Sequence, residues 1–217
     1  MSRTTISAKH SSLKNTSTAE GPTLPPCVVW LAALLMAAML LAGCTTRYMP
    51  VQQPGVQVVD DTAVLLDTDL RLTVTKRDWL RQPDAVNDYY TTFYVQVRNM
   101  SISEVQSVSP AEFGMLDGQQ SQFDPVPTGE VASLLLDRDP YARYVGDLSL
   151  TPTERDDRIR QQTEARANLQ TYAFAFGDIL PGATKSGYIF FNRLPSGNSE
   201  LSFVFRQRPV RFARIKD

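Results

Sequence analysis

Hydrophobic and polar residues alternate along three segments of the chain, residues 70–74, 93–97 and 201–205. In the first, Leu70, Leu72 and Val74 are separated by Arg71 and Thr73. Because successive side chains of a strand point to opposite faces of its sheet, this period predicts strands with one buried and one solvated face. Five shorter segments are further strand candidates: 104–109, 112–116, 120–124, 171–176 and 185–192.

Turn residues separate these segments. Asp117-Gly118 predicts a tight hairpin turn, because such turns need positive φ. Asp67-Thr68-Asp69 and Asp137-Arg138-Asp139 predict further turns, since Asp hydrogen-bonds to its own backbone there. About eight short strands joined by turns predict a mainly β fold of antiparallel sheets packed face to face. A body over residues 58–217 is long enough to bury a core without disulfides.

Residues 127–170 interrupt the strand pattern. Thr151-Pro152-Thr153-Glu154 combines an N-cap, a proline suited to the first turn and a capping-box glutamate, and it predicts a helix over about 152–169. This helix carries two large apolar residues, Ile159 and Leu169, so we expect it to lie on the surface and bury a narrow stripe. Apolar residues at 131, 134 and 135 predict a shorter helix before it. The sequence therefore predicts a helical insert at about 127–170.

The N-terminal segment has the pattern of an export signal. Residues 27–43 carry no charge over 17 positions and follow Arg3, Lys9 and Lys14. As a helix this run would reach about 25 Å, short of the roughly 30 Å hydrocarbon core of a bilayer. This length favours a signal peptide over residues 1–43; a permanent transmembrane anchor is the alternative. Its end, Leu41-Ala42-Gly43-Cys44, resembles the lipobox of bacterial lipoproteins, where the cysteine is acylated and the peptide is cut before it.

The lipobox resemblance implies a mature chain held to a membrane by acyl chains, palmitate among them, on Cys44. Stable attachment needs more than one such chain. Thr45 follows the cysteine at the position where an aspartate resembles an inner-membrane retention signal. The implied location is the cell envelope, at the outer membrane and facing the periplasm. Residues 44–57, with two prolines, a glycine and no apolar period, predict a flexible tether.

Four motifs of the body occur in the order seen in a known group of domains: FYVQVRNMS at 93–101, SPAEFGMLDG at 109–118, FGDILPG at 176–182 and GYIFF at 187–191. This order resembles a family of immunoglobulin-like domains of unknown function that recur in bacterial lipoproteins and secreted antigens. The resemblance implies an immunoglobulin-like β-sandwich and a binding or envelope role. The family carries no shared catalytic motif to transfer, and the helical insert departs from its pattern.

Composition limits the chemistry of the mature chain. The single histidine, His10, and one of the two cysteines, Cys27, lie in the leader, and the remainder carries 19 basic and 22 acidic residues. Without an imidazole, Ser-His-Asp triads, Cys-His pairs and zinc sites lack a required residue. The near-neutral charge argues against a nucleic-acid partner. Carboxylate pairs such as Asp60 and Asp61 leave calcium binding or glycosidase chemistry open, but we expect no enzyme, metal or cofactor.

Aromatic and arginine residues are the remaining functional candidates. Tyr141, Arg143 and Tyr144 precede the long helix, and Trp79 follows three charged residues. Such side chains, when exposed, form contact hot spots; alternatively, these rings cover the ends of the sandwich. We therefore expect a non-catalytic envelope lipoprotein that binds a protein partner through its insert. A polysaccharide or small-ligand binder using Tyr141 and Tyr144 is the alternative, and a carboxylate-dependent hydrolase is a third hypothesis.

Overall fold

A computed structural model of the chain describes residues 46–136, 151–195 and 197–216. In these ranges the strands are β1 (Thr46–Pro50), β2 (Val56–Val59), β3 (Thr62–Asp67), β4 (Leu70–Lys76), β5 (Tyr90–Asn99), β6 (Gln106–Val108), β7 (Phe113–Asp117), β8 (Gln122–Phe123), β9 (Gly177–Ile179), β10 (Thr184–Asn192), β11 (Glu200–Phe205) and β12 (Arg208–Lys216). The helices are α1 (Val86–Tyr89), a 3-10 helix (Pro110–Glu112), α2 (Thr128–Leu136) and α3 (Pro152–Tyr172). All of these elements belong to one compact unit, residues 45–217.

The described strands form antiparallel sheets. The first sheet has the order β1-β12-β11-β7-β8, the second has the order β10-β5-β4-β3-β2, and β6 pairs with β9 in a separate ribbon. In the second sheet Leu72 of β4 lies opposite Val97 of β5, and in the first Phe203 of β11 lies opposite Val210 of β12. The mainly β, antiparallel architecture predicted from the period-two segments is confirmed.

The inner faces of the two large sheets pack together in what we call the inter-sheet core. The Phe93 ring of the second sheet lies 5.0 Å from the Phe203 ring and 5.5 Å from the Phe212 ring of the first, measured between centroids. Leu72 of the second sheet is fully buried in the same cluster. Because every second residue of these strands is large and apolar, both sheets supply side chains to one continuous core.

A second apolar cluster, the helix-side core, covers the outer face of β10 and β5. Its buried members come from distant parts of the chain: Trp79, Val86, Tyr90, Val126, Val131, Leu169, Tyr188 and Phe190. Along β10, Tyr188 and Phe190 belong to this core, whereas Ile189 and Phe191 belong to the inter-sheet core. Strand β10 is therefore buried on both faces, which explains its run of consecutive apolar residues.

Helix α3 has the capping box that its sequence predicts, and α2 and α3 each bury part of one face. The Thr151 hydroxyl accepts a hydrogen bond from the Glu154 backbone, and the Glu154 carboxylate accepts one from the Thr151 backbone at 2.8 Å. This capping box begins α3 at Pro152. Ala165 and Leu169 are the buried residues of α3, so the helix buries a narrow stripe as predicted. Ile159, which is predicted to belong to that stripe, is exposed. Val131 buries the corresponding face of α2.

The chain after α3 crosses β10 at very short range, and Gly187 permits this approach. The Phe174 backbone N–H donates to the Tyr188 carbonyl at 2.8 Å, and Ala173 forms a single bridge with Tyr188. A Cβ atom on Gly187 would lie 2.6 Å from backbone atoms of Ala173 and Phe174. Because backbone atoms cannot turn aside as a side chain can, residue 187 has to lack a side chain here.

Two ends of the paired sheets can be told apart by their connections. At the first, which we call the Thr46 end, Thr46 pairs with Lys216, and Arg47 forms an ion pair with Asp61 in the β2–β3 turn. At the opposite end the β11–β12 turn holds Arg206 at φ 47°, and its guanidinium binds Glu112 at 2.6 Å and Asp67 at 3.1 Å. Each end therefore carries an ion pair that joins the two sheets.

The prediction of a flexible tether over residues 44–57 is wrong for part of that range. Residues 46–50 form β1, which pairs with β12 over five residue pairs, and β2 begins at Val56. The partner strand explains the difference. The sequence of Thr46–Pro50 alone carries no strand signal. In the structure β12 lies beside this segment and pairs with all five of its residues.

One local prediction is wrong, and a second is confirmed only in part. The strand expected at 171–176 is absent, because α3 continues to Tyr172 and only the bridge at Ala173 follows. The hairpin after β7 is present, but its positive φ lies at Gln120 (66°) and not at Gly118. The Asp117 carboxylate holds this loop by accepting from the Gln119 and Ser121 backbones, both at 2.8 Å. The turn predicted at Asp67-Thr68-Asp69 is confirmed, with Thr68 at φ 41°.

Candidate functional site

Most of the functional residues predicted from sequence lie outside the described residues. This applies to the acylation site Cys44 and to the predicted contact residues Tyr141, Arg143 and Tyr144. The turn predicted at 137–139 lies outside them as well. Trp79 is the one predicted site residue whose surroundings the structure describes.

Trp79 is not a surface contact residue, and that prediction is wrong. Its side chain is 2% exposed and lies edge-on to Tyr188 at 5.2 Å and to Tyr172 at 6.5 Å between ring centroids. The charged residues before Trp79 indicated a surface position, but α3 and β10 cover the indole. Its ring nitrogen Nε1 has no hydrogen-bond partner among the described residues. The indole thus stabilises the helix-side core by packing and leaves one donor unsatisfied.

A surface cavity of about 800 Å³ is a groove at the Thr46 end that we call the Tyr94 groove. Residues of β1, the β2–β3 turn, β3, β4, β5 and the segment after β4 line it: Arg47, Tyr48, Asp61, Thr62, Thr73, Thr75, Lys76, Arg77, Asp78, Leu80, Tyr94 and Gln96. The alternation that buries Leu72, Val74 and Val95 inside directs Thr73, Thr75, Tyr94 and Gln96 to the outer face. The strand period therefore gives the groove its polar floor.

Ion pairs organise the walls of the Tyr94 groove. Arg47 binds Asp61 at 2.7 Å, and the Lys76 ammonium binds Asp78 at 2.7 Å. The Lys76 side chain is 12% exposed, so most of its aliphatic stem is packed against the protein. The guanidinium of Arg77 lies 6.0 Å from the centre of the Tyr94 ring. Arg77 thus presents a cation at the groove surface above an aromatic face.

A second cavity of about 630 Å³, the Asn87 depression, adjoins this groove. The two share Tyr48, Lys76 and Asp78, and Asn87, Tyr90, Thr91, Arg193, Leu194, Pro195, Gly197, Asn198 and Arg214 complete the second lining. The Tyr48 hydroxyl donates to the Asn198 carbonyl at 2.7 Å. Burial raises the pKa of Tyr48, while the nearby Arg214 charge opposes that shift. Tyr48 therefore stays a neutral hydrogen-bonding group between the two cavities.

The chemistry of this site suits a polar, oxygen-rich ligand. Three threonine hydroxyls, one glutamine amide and two tyrosines line the Tyr94 groove together with arginine and lysine. Within the described ranges no group of three or more His, Cys, Asp or Glu is placed to hold a metal ion. Sequence reasoning misses this site because the period-two pattern predicts only a solvated face at Thr73 and Gln96. The period-two pattern could identify that face, but not the approach of β1 that makes it concave.

No helix in the part of the chain that the structure describes is both long and apolar enough to span a membrane. Comparisons of the chain with protein-family models, with curated proteins and with solved structures gave no match. Function therefore has to be inferred from the residues of this chain and their geometry.

Proposed function

We propose that the protein is a non-catalytic lipoprotein of the bacterial cell envelope, anchored through acylated Cys44 at the outer membrane and facing the periplasm. The observation that carries this proposal is Leu41-Ala42-Gly43-Cys44 at the end of a 17-residue uncharged run. Basic residues precede the run, and small residues precede the cysteine, as export and acylation require. Signal cleavage leaves Cys44 as the first residue of the mature chain.

The position of β1 supports a short connection between anchor and body. Strand β1 begins at Thr46, two residues beyond Cys44. Two residues of extended chain span about 7 Å. An acylated Cys44 therefore holds the Thr46 end close to the headgroups, and the Arg206 turn at the opposite end points away from them. Anchoring of this kind fixes which surfaces face the bilayer and which face partners.

The two cysteines of the chain provide a matched test of acylation. We expect Cys44→Ser to abolish the acyl mass on the mature protein and to move it from the detergent phase to the aqueous phase in a phase-separation assay. Cys27→Ser changes the same atom within the signal peptide and is expected to leave both results unchanged. Intact mass spectrometry of the purified protein measures the acyl mass, and the phase-separation assay measures the partitioning. A mature chain with an unmodified Cys44 sulfur would contradict the proposal.

The body is proposed to be an immunoglobulin-like sandwich used as an interaction or structural module. Two antiparallel five-stranded sheets that share the inter-sheet core support this assignment. The helices α2 and α3 lie between β8 and β9 and add the helix-side core, as expected of an insert into such a domain. The long face of α3 that is not buried carries Ile159 at 56% exposure. We propose that this face docks a periplasmic partner.

A pair of equally exposed aliphatic residues tests this contact. A photo-crosslinking amino acid at position 159 in intact cells is expected to give one discrete adduct. The same amino acid at Leu66, which is 57% exposed on β3, serves as the control and should give none. Identical adducts at both positions, or none at 159, would count against α3 as the contact surface.

The Tyr94 groove supports a second candidate function, the binding of a polysaccharide or small polar ligand. Its hydroxyl, amide and phenol groups are those that hydrogen-bond to sugar hydroxyls, and Tyr94 offers a ring for a sugar face. Tyr94→Ala should abolish retention on cell-wall glycan if this function holds. Tyr89→Ala, an exposed tyrosine that lines neither cavity, is the control. If the Tyr94→Ala variant still binds glycan, the groove is excluded as the glycan site. If the double variant Tyr141→Ala plus Tyr144→Ala still binds glycan, those two tyrosines are excluded.

A further inference from the structure

The two cavities at the Thr46 end carry more positive than negative charge. Five basic side chains line them, against the carboxylates of Asp61 and Asp78. Arg47 and Lys76 neutralise those two carboxylates. Among the described residues, Arg77, Arg193 and Arg214 have no carboxylate within ion-pair distance, and all three are exposed. These three arginines therefore carry charge that no carboxylate neutralises, and the Arg193 guanidinium donates one of its hydrogen bonds to the Asp88 carbonyl at 2.8 Å.

Other carboxylates of this end lie outside both cavities. Asp60, Asp88 and Glu200 do not contribute to either lining. Glu200 is occupied by Arg211, at 3.1 Å. The excess positive charge is consequently local to the cavities, although the mature chain as a whole has more acidic than basic residues.

The position of these arginines relative to Cys44 limits which anion they meet. Arg47 is the third residue after Cys44, so about 11 Å of extended chain separates the two. Arg214 lies directly opposite Tyr48 in the β1–β12 pairing. The headgroup layer on each side of a bilayer is roughly 5 to 8 Å thick. If Cys44 is acylated as proposed above, the arginine-lined cavities open next to lipid phosphates.

Exposed aliphatic residues accompany the arginines. Leu80 is 78% exposed and lines the Tyr94 groove. Ile215 is 40% exposed and lies opposite Arg47 in the β1–β12 pairing. Aliphatic side chains flanked by basic ones are typical of surfaces that rest at a membrane interface, because the aliphatic groups enter the acyl boundary while the cations bind phosphate.

We propose that the Tyr94 groove and the Asn87 depression together form a contact surface for anionic phospholipid headgroups of the bilayer that holds the anchor. Arg77, Arg193 and Arg214 contact the phosphates, and Leu80 and Ile215 lie at the acyl boundary. The planar guanidinium suits this role, since its donors match two phosphate oxygens at once. The inference rests on the proposed anchoring, and it assigns the body a fixed orientation: the Thr46 end lies on the membrane.

The test uses residues 45–217 without acylation, because this range is one compact unit that contains the described members of both cores. Sedimentation with vesicles of phosphatidylethanolamine and phosphatidylglycerol is compared with sedimentation with pure phosphatidylcholine. We expect binding to the anionic vesicles only, weakened by added salt. Each basic residue near an anionic surface contributes roughly fivefold in affinity, so replacing Arg77, Arg193 and Arg214 together by Ser should weaken binding about a hundredfold.

A matched triple replacement separates this surface from general charge. Arg71→Ser, Arg98→Ser and Arg160→Ser remove the same charge from exposed positions outside both cavities and should weaken binding far less. Equal losses of vesicle binding in the two triple variants, or equal binding to both vesicle types, would overturn the proposal. Displacement from the vesicles by glycerol 3-phosphate at equal phosphate concentration would identify a soluble phosphate ligand instead. Displacement by polygalacturonate would identify an acidic glycan, and either result overturns the membrane surface.

The two proposals can fail separately. If Cys44 is acylated in the native protein but unacylated residues 45–217 do not bind anionic vesicles, only the proposed headgroup surface is overturned. If Cys44 is unmodified in the native protein but residues 45–217 bind anionic vesicles through the three arginines, only the proposed anchoring is overturned.

Discussion

The inter-sheet core and the helix-side core share strand β10 but are assembled differently. The inter-sheet core is built from regular strands whose alternating residues meet between two hydrogen-bonded sheets. The helix-side core gathers Trp79, Val131, Leu169 and Tyr188 from four separate parts of the chain, and α3 contributes only Ala165 and Leu169 as buried residues. The first core is held by two extended ladders, whereas the second depends on a thin apolar stripe. We therefore expect the helix-side core to unfold before the inter-sheet core when denaturant or heat destabilises the protein.

Replacing Gly187 should have the largest effect, because this residue joins the two cores. Gly187→Ala would place a Cβ atom 2.6 Å from the backbone of Ala173 and Phe174. We expect destabilisation by about 3 kcal/mol or more in urea unfolding, since a backbone segment has to move. Gly129→Ala in α2 is the control: nothing lies within 4 Å of its added Cβ, and it should stabilise by about 0.5 kcal/mol. A Gly187→Ala protein as stable as the wild type would show that the crossing is looser than described.

Two leucines with the same burial compare the cores directly. Leu72 in the inter-sheet core and Leu169 in the helix-side core are both 0% exposed. We expect Leu72→Ala to cost about 3 kcal/mol and to raise hydrogen exchange throughout the body. Leu169→Ala should cost about 2 kcal/mol and raise exchange in α3 and α2 before the sheets, because α3 can settle into the space. Uniform exchange in both variants would mean that the two cores unfold as one unit.

Removing the cap of α3 should have the smallest effect. Thr151→Ala is expected to cost about 1 kcal/mol of helix stability, whereas Thr163→Ala in the middle of the same helix should be nearly neutral. The hydrogen bonds from Thr151 lower the pKa of Glu154 below its ordinary value of 4.5. The cap therefore stabilises α3 above that value, and its contribution is lost as the pH falls through the lowered pKa. Helicity measured by circular dichroism that stays constant on acidification would contradict this role.

Sequence reasoning succeeds where local pattern and tertiary contact agree. The alternating runs at Leu70–Lys76 and Glu200–Phe205 are strands, and the capping box at Thr151 begins α3 where expected. Sequence reasoning fails where the structure or burial of a residue depends on a segment far along the chain. Thr46–Pro50 becomes a strand because β12 lies beside it, and Trp79 is buried because α3, some 90 residues later, covers it.

The candidate site shows the same limit. The polar residues of β4 and β5 follow from the period, but their neighbours Arg47, Arg193 and Arg214 come from three other segments. No spacing within the sequence brings these segments together. The concavity of the site arises only when β1 closes the edge of the first sheet next to the β2–β3 turn.

The pairing of β1 with β12 also determines how the body would respond to mechanical force. Strand β1 is an edge strand held by five residue pairs to a single neighbour. Tension along the strand axis, applied between residue 44 and the Arg206 turn at the opposite end, would load all five pairs in shear at once. Tension across the strand would peel the same pairs apart one after another. An envelope protein anchored in this way would resist stretching away from its membrane far better than sideways traction.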